Sequence, residues 1–214
     1  MKEKIILFDL DGTLIDSTPA ICESFGVAMQ NMGYPIPYIQ KVVENIGHTL
    51  EDMFLKVGVQ TQDIQEIVQC YKTHYKKVSK EKTAMLPFAI EAIERAYEFA
   101  QLGVVTTKTG SASKELLDYF GVLKYFQIVV GREDVKFPKP HPEPIIKARS
   151  AFGNNITKCF MIGDTLLDIE SARAAEVIPV AVSSGYVKKE ILLHQNIEVF
   201  DHVLDAVSFI SKII

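Results

Sequence analysis

The chain contains five short runs in which apolar residues follow one another instead of alternating with polar ones. They are IILF at 5–8, LGVVT at 102–106, FQIVV at 126–130, KCFMI at 158–162 and IPVAV at 178–182. Unbroken apolar strands are typical of a parallel sheet that helices cover on both faces. Helical patterns separate these runs, so the sequence predicts a doubly wound α/β fold. Ligands bind such a fold at the carboxyl ends of its strands.

Capping and stop signals predict the helices of this layered core. A helix over 87–100 would have Pro87 at its first helical position. Its apolar repeat indicates a buried face made of Ile90, Ile93, Tyr97 and Ala100. A second helix, over 111–121, would begin with a cap at Ser111 and stop at Gly121. A third is expected over 166–175.

Residues 17–82 differ from the rest of the chain, because they contain helical patterns and no convincing strand. The first predicted helix has one apolar face, formed by Ile21, Phe25, Ala28, Met29 and Met32. Further helices are expected over 37–47, from Thr49 in capping-box spacing with Asp52, and over 64–78. We therefore predict a helical cap at 17–82, inserted after the first strand of a core formed by 1–16 and 83–214. This insertion point would let the cap cover a site as a lid.

Two carboxylates, Asp9 and Asp11, directly follow the first apolar run. Like charges this close repel, and each costs free energy to desolvate, so the pair implies a cation or a reaction. An EF-hand calcium loop is excluded, because its sixth and twelfth positions would be Leu14 and Ala20 instead of glycine and glutamate. The pair therefore predicts a different kind of site.

Polar residues at the other strand ends indicate which kind. Asp9, Asp11 and Asp164 could surround one Mg²⁺ ion, which prefers oxygen ligands and commonly shares them with a substrate phosphate. The Thr106 hydroxyl and the Lys139 ammonium would then bind a phosphoryl group. Asp9 could attack phosphorus as a carboxylate nucleophile. The pattern thus favours phosphoryl transfer.

Four motifs, DLDGT, VVTTK, KPHPEP and GDTLLD, occur in this order along the chain. Together they resemble the haloacid dehalogenase superfamily, and within it the phosphoglycolate phosphatase and pyrophosphatase-like branch. The resemblance implies a Rossmann-like core, Mg²⁺ as cofactor and hydrolysis of a phosphate ester through an aspartyl-phosphate. By the same resemblance, Asp9 would be the nucleophile and Asp11 the general acid and base.

The resemblance also implies the remaining roles. The backbone carbonyl of Asp11 and the carboxylate of Asp164 would complete the metal site. Thr106 and Lys139 would bind the transferring phosphoryl group. Thr107 stands where many members have asparagine, so its contact with that group is a separate prediction. The supporting residues would be Gly12, Thr13 and Asp168.

Some positions depart from the family pattern or have simpler interpretations. Phe88 and Glu176 occupy positions where relatives often have glycine. Related phosphomutases carry an arginine shortly after the position of Gly47, and its absence here weighs against a mutase. His48 is a candidate substrate contact, or else an exposed loop histidine. The Thr106 hydroxyl could bond only to backbone, and the Asp164 and Asp168 side chains could only cap a helix.

Composition narrows the class of partner. The net charge of −4 argues against a surface for nucleic acid or anionic membranes. No apolar stretch reaches the ~18 residues of a membrane span. We therefore expect a cytoplasmic monomer or homodimer with reduced cysteines, acting on a small phosphate ester or pyrophosphate.

The alternatives are a sugar phosphomutase of the same fold and a catalytically silent regulatory or binding protein; a dehalogenase is disfavoured because it needs no magnesium.

Overall fold

The computed structural model describes residues 2–153 and 158–213. The strands are β1 (Lys4–Phe8), β2 (Ile15–Asp16), β3 (Ala84–Met85), β4 (Ala100–Val105), β5 (Phe126–Val130), β6 (Lys158–Gly163), β7 (Ile178–Val182) and β8 (Val199–Phe200). The α-helices are α1 (Thr18–Asn31), α2 (Ile39–Val43), α3 (Leu50–Lys56), α4 (Ile64–Val78), α5 (Ala89–Phe99), α6 (Gly110–Tyr119), α7 (Glu143–Ser150), α8 (Leu166–Ala174), α9 (Lys189–Leu193) and α10 (Val203–Lys212). None of these helices is long and apolar enough to cross a membrane.

The main sheet of the described residues has six parallel strands in the order β5-β4-β1-β6-β7-β8. The chain runs outward from β1 to β5 and then crosses to β6 on the other side of β1. Phe8 pairs with both Val104 and Ile162, so the carboxyl ends of β1, β4 and β6 lie side by side. The predicted doubly wound α/β fold is confirmed, and all five predicted strands are present. The sequence prediction missed β8, which is only two residues long.

The sheet buries both of its faces, which explains the unbroken apolar runs. In β1, Ile6 and Phe8 pack in one cluster with residues of α5 and α10. Ile5 and Leu7 point to the opposite face and pack with residues of α7 and α8. All four side chains are fully buried, and each contributes about 1.5–3 kcal/mol relative to exposure.

Helices α1 to α4 lie between β2 and β3, and the segment 17–82 that contains them is referred to below as the insert. These two strands pair antiparallel, Ile15 with Met85 and Asp16 with Ala84. The insert has its own apolar cluster, in which Phe25 stacks on Phe54 with 4.1 Å between ring centroids. The predicted apolar face of α1 is buried except for Met32, which is partly buried.

Two expectations about the insert have different outcomes. The Thr49 cap is confirmed, since its side chain accepts a hydrogen bond from the Asp52 amide at the start of α3. The helix predicted over 37–47 is wrong in length, because α2 covers only Ile39–Val43. The backbone of Tyr38 is extended, with ψ of 138°, and Gly47 has a positive φ of 104°. A helix cannot continue through either conformation.

The first residue of α5 and its buried face also differ from the prediction. The helix begins at Ala89 instead of Pro87, because Phe88 has a left-handed φ of 64° that no α-helix accommodates. Ile90 and Tyr97 are 43% and 45% exposed, respectively. Alanines form most of the buried face, since small side chains let the helix pack closely on the sheet. The face comprises Ala89, Ala92, Ile93 and Ala96.

The start of α6 is capped by a distant residue instead of the predicted Ser111. The helix begins at Gly110, and the Glu133 carboxylate accepts hydrogen bonds from the amides of Gly110, at 2.9 Å, and Ser111, at 3.4 Å. A carboxylate at this position satisfies exposed helix amides and interacts favourably with the helix dipole. The predicted stop at Gly121 has the expected left-handed φ, 72°. The three cysteines are free, as expected.

Candidate active site

Three carboxylates converge at the carboxyl ends of the central strands. Asp9 follows β1, Asp164 follows β6, and Asp168 lies in the first turn of α8. One oxygen from each lies within 4.8 Å of the others, and all three side chains are buried. The register of the sheet produces this convergence, because β1 and β6 are neighbours and end at the same level.

Lys139 supplies the countercharge of this cluster. Its ammonium donates to Oδ1 of Asp9 at 2.8 Å, to Oδ1 of Asp168 at 2.5 Å and to the carbonyl of Val105 at 3.1 Å. These three acceptors match the three donors of an ammonium. Burial opposes the charge, but Asp168 and Asp9 outweigh it and raise the pKa of Lys139 above its ordinary value. The side chain is therefore a buried cation at the strand ends.

Asp168 and Asp164 are each held by further hydrogen bonds. The amide and hydroxyl of Thr165 donate to Oδ2 of Asp168 at 3.1 and 2.6 Å, forming a capping box for α8. Asp164 accepts from the Thr13 hydroxyl at 3.1 Å and from the Tyr186 amide at 2.9 Å. Asp168 thus caps a helix and binds Lys139 with the same carboxylate.

Position 12 accepts only glycine, because its backbone conformation is left-handed and because no room is left for a Cβ atom. Its φ is 85°, and a Cβ at this position would lie 2.5 Å from Oδ2 of Asp164. Any side chain here would displace the carboxylate. The loop after β1 therefore approaches the β6 loop closely, with Gly12 and Thr13 both against Asp164.

The cluster favours a divalent cation electrostatically. Burial raises the pKa of Asp9 to about 7, even though Lys139 opposes the shift. Burial also raises the pKa of Asp164, and the nearby Asp9 and Asp168 add to this effect. The single positive charge of Lys139 is too small to neutralise three ionised carboxylates. An all-oxygen donor set with excess negative charge fits Mg²⁺, the ion that the sequence predicts here.

Asp11 lies outside the cluster and faces the insert. Its Oδ1 accepts a hydrogen bond from the Ser17 hydroxyl, at the beginning of the insert. Its Oδ2 lies 3.2 Å from the ammonium of Lys108. Asp9 and Asp11, two positions apart, therefore have separate sets of partners. Lys108 belongs to the VVTTK motif, but the sequence pattern indicated no role for it, for Ser17 or for Tyr186.

A cavity of about 420 Å³ lies between the insert and the core beside Asp11. Thr107 and Lys108 line it from the core, and His48 and Tyr75 line it from the insert. The ring Nε2 of His48 is 2.7 Å from the Lys56 ammonium. Burial, with a further contribution from Lys56, lowers the pKa of His48.

Thr106, a predicted phosphoryl-binding residue, hydrogen-bonds to the backbone in this structure. Its hydroxyl oxygen accepts a hydrogen bond from the Lys108 amide at 3.2 Å, as the simpler interpretation expected. Within the described parts of the chain the hydroxyl proton has no acceptor, so it can still be donated to a ligand. The side chain is buried directly after β4, which pairs with β1, the strand that Asp9 follows.

A family described as haloacid dehalogenase-like hydrolase matches residues 6–182. The chain belongs to this family. A phosphoglycolate phosphatase from Aquifex aeolicus is 31% identical over 188 residues, which cover 86% of this chain and 87% of that protein. A relative from Caldanaerobacter subterraneus subsp. tengcongensis, carrying the name pyrophosphatase PpaX, is 31% identical over 202 residues, with 94% and 90% covered. The resemblance and the branch expected from the four motifs are confirmed.

Solved structures of other proteins have the same fold as this chain. A haloacid dehalogenase-like hydrolase from Streptococcus pneumoniae superposes with a TM-score of 0.84 at 25% identity, over 96% of this chain and 97% of that chain. A protein from Haemophilus somnus superposes with a TM-score of 0.87 at 22% identity, over 98% of both chains, and is similar in fold. Taken with the curated relatives, the family makes this chain a phosphatase enzyme.

Proposed function

We propose that this phosphatase is Mg²⁺-dependent and hydrolyses a small phosphorylated metabolite, phosphoglycolate-like or pyrophosphate, through an aspartyl-phosphate on Asp9. The observation that carries the proposal is the buried ammonium of Lys139, held between Asp9 and Asp168 beside Asp164. Folding alone gives no reason to bury three carboxylates together. Binding a divalent cation together with a dianionic phosphoryl group would be a reason to bury them. The phosphoglycolate phosphatase and the pyrophosphatase among the relatives support phosphoglycolate-like esters and pyrophosphate, respectively, as candidate substrates.

The first half of the reaction would form a bond between an Asp9 oxygen and phosphorus and break the bond to the leaving oxygen. Oδ1 of Asp9 is held by Lys139, which fixes the carboxylate near the ends of β1 and β4. The Thr106 hydroxyl would donate a hydrogen bond to the transferring group, and Lys139 would do the same by exchanging one of its three present acceptors for a phosphoryl oxygen. Asp11 would deliver its proton to the leaving oxygen. Charge builds on the oxygens of that group, so fixed donors stabilise the transition state.

The second half would return the enzyme to its starting state. Asp11, now ionised, would accept a proton from water as the water oxygen bonds to phosphorus. The bond between phosphorus and Asp9 would break, releasing phosphate and a free carboxylate. Mg²⁺, held by Asp9, Asp164 and the backbone carbonyl of Asp11, would supply charge neutralisation. Asp168 would keep Lys139 in position.

We further propose that residues 17–82 act as a cap domain over a core made of 1–16 and 83–214. The separate apolar cluster of the insert and its connection through the paired strands β2 and β3 support this division. The cavity between insert and core would receive the leaving group. Of the residues that line it, His48 would contact that part of the substrate, and Thr107 would contact the transferring phosphoryl group.

Phosphate release from a panel of phosphorylated metabolites, with and without Mg²⁺, tests the proposal. We expect release only with Mg²⁺, none from Asp9→Asn, and a kcat lowered by about 10²–10⁴ in Asp11→Asn. Asp118→Asn, an exposed change on α6, is the matched control and should keep full activity. A fully active Asp9→Asn would refute the mechanism. Transfer of phosphate back to substrate instead of to water would make the protein a mutase.

A further inference from the structure

Lys108 connects the insert to Asp11 through a single ammonium. It follows β4, and its Nζ donates a hydrogen bond to the Tyr75 hydroxyl on α4 at 2.9 Å. The same Nζ lies 4.5 Å from the centroid of the Tyr75 ring and 3.2 Å from Oδ2 of Asp11. The Lys108 side chain is only 11% exposed. A buried ammonium requires such partners, because burying an unpaired charge is costly.

Tyr75 belongs firmly to the insert. Its ring stacks on Tyr71 with a centroid distance of 5.5 Å and an interplanar angle of 13°. Tyr71 in turn makes edge contacts with Phe25, at 6.4 Å, and Phe54, at 6.2 Å, in the centre of the insert cluster. A side chain held this way moves with α4. The distance between Lys108 and Tyr75 therefore depends on where the insert lies relative to the core.

Both oxygens of Asp11 consequently depend on the position of the insert. Oδ1 accepts from Ser17, which is fully buried where the chain enters α1. Oδ2 faces Lys108, whose other partner is Tyr75. Asp9, in contrast, is held by Lys139 and so by the core alone. The nucleophile and the proposed acid thus receive their orientations from different parts of the molecule.

We propose that Lys108 is a positioning residue that orients the Asp11 carboxylate when the insert, through Tyr75, is docked on the core. Proton transfer to the leaving group is thereby coupled to closure of the insert. This inference rests on the proposed function, since it takes Asp11 as the acid and base. It differs from a simple tether, which would hold the insert without affecting the chemical step.

A double-mutant cycle separates the two roles. Lys108→Met removes the charge and keeps the apolar stem, and Tyr75→Phe removes only the hydroxyl and keeps the stacked ring. We expect kcat to fall about 10- to 100-fold in Lys108→Met and about 3- to 10-fold in Tyr75→Phe, with KM little changed. The double variant should be no slower than Lys108→Met, because Tyr75 acts through Lys108. Lys114→Met, exposed on α6, is the matched control and should keep wild-type kinetics.

Hydrogen exchange of the metal-free proteins gives a readout independent of activity. Amides of α4 should exchange faster in Lys108→Met and Tyr75→Phe, while amides of β1 and β6 should be unaffected. Lys108→Arg, which retains the charge, should recover part of the lost kcat. If Lys108→Met fails to fold, Tyr75→Phe and Lys108→Arg still test the coupling.

The possible results distinguish the two proposals. Additive effects in the cycle, an unchanged kcat, or a raised KM at constant kcat would overturn the positioning role while leaving the proposed function intact. Unchanged exchange in α4 would also overturn it. A wild-type protein that releases no phosphate, or a fully active Asp11→Asn, would overturn the proposed function and the positioning role together.

Discussion

The three-carboxylate cluster should make the metal-free protein less stable as the pH rises, and Asp9→Asn should remove much of this effect. In the folded protein, burial raises the pKa of Asp9 from 3.8 to about 7. In the unfolded chain an aspartate has lost its proton by about pH 5. Between these pKa values the folded state binds more protons, so the free energy of unfolding falls as the pH rises.

The magnitude follows from the same pKa. Each pKa unit corresponds to about 1.4 kcal/mol, so the loss attributable to Asp9 between about pH 5 and pH 8 is ~3 kcal/mol. For a chain of this size that is about 6–12 °C in Tm. Asparagine is isosteric with aspartate, and its amide oxygen can still accept from Lys139. The variant should therefore gain stability relative to wild type by this amount on going from pH 5 to pH 8.

Thermal unfolding in chelator at the two pH values, for wild type, Asp9→Asn and the exposed Asp118→Asn, measures the effect. Adding Mg²⁺ at pH 8 should raise the Tm of the wild type. At a Mg²⁺ concentration one hundred times its Kd, the free energy of unfolding should increase by ~2.7 kcal/mol. For Asp9→Asn the increase should be small. An Asp9→Asn that is less stable than wild type at both pH values by the same amount would refute the reasoning. It would mean that the carboxylate has a structural role only.

Three further substitutions test other contacts by urea denaturation. Lys139→Met leaves two buried carboxylates without their cation and should cost about 3–5 kcal/mol; Mg²⁺ should recover part of this loss. Glu176→Gly should stabilise by about 0.5–1 kcal/mol, because Glu176 has a left-handed φ of 56°, whereas the control Glu170→Gly within α8 should destabilise by about 1 kcal/mol. Glu133→Ala removes the acceptor for two amides of α6 and should cost about 1 kcal/mol; no change would show that water replaces it equally well.

The strands and the order of the layers were predictable because each depends on local pattern. A parallel strand buried on both faces has to be apolar along its length, and polar residues at its end mark where the sheet stops. For this reason the residue pattern alone predicts that Asp9, Thr106 and Asp164 lie at the same edge of the sheet. The capping box of α8 was similarly available from the Thr165 and Asp168 spacing.

Helix starts and helix faces were less predictable, because they depend on backbone conformation and distant partners. Phe88 and Glu176 departed from glycine in the family pattern, but only the structure gives both of them a positive φ. Nothing near α6 in the sequence indicates that Glu133 caps it. Ile90 was expected in the core and is exposed, since the close approach of α5 to the sheet selects alanines for the contact.

The amino-acid sequence by itself determined the fold class, the family and the set of residues at the strand ends, because periodicity and motif spacing are local properties of a chain. Only the tertiary structure decided how the two neighbouring aspartates differ. Lys139 reaches Asp9 from a loop far along the chain, while Ser17 and Lys108 reach Asp11. These contacts join segments widely separated in sequence, so the orientation and charge of each carboxylate arise only when the sheet and the insert are assembled.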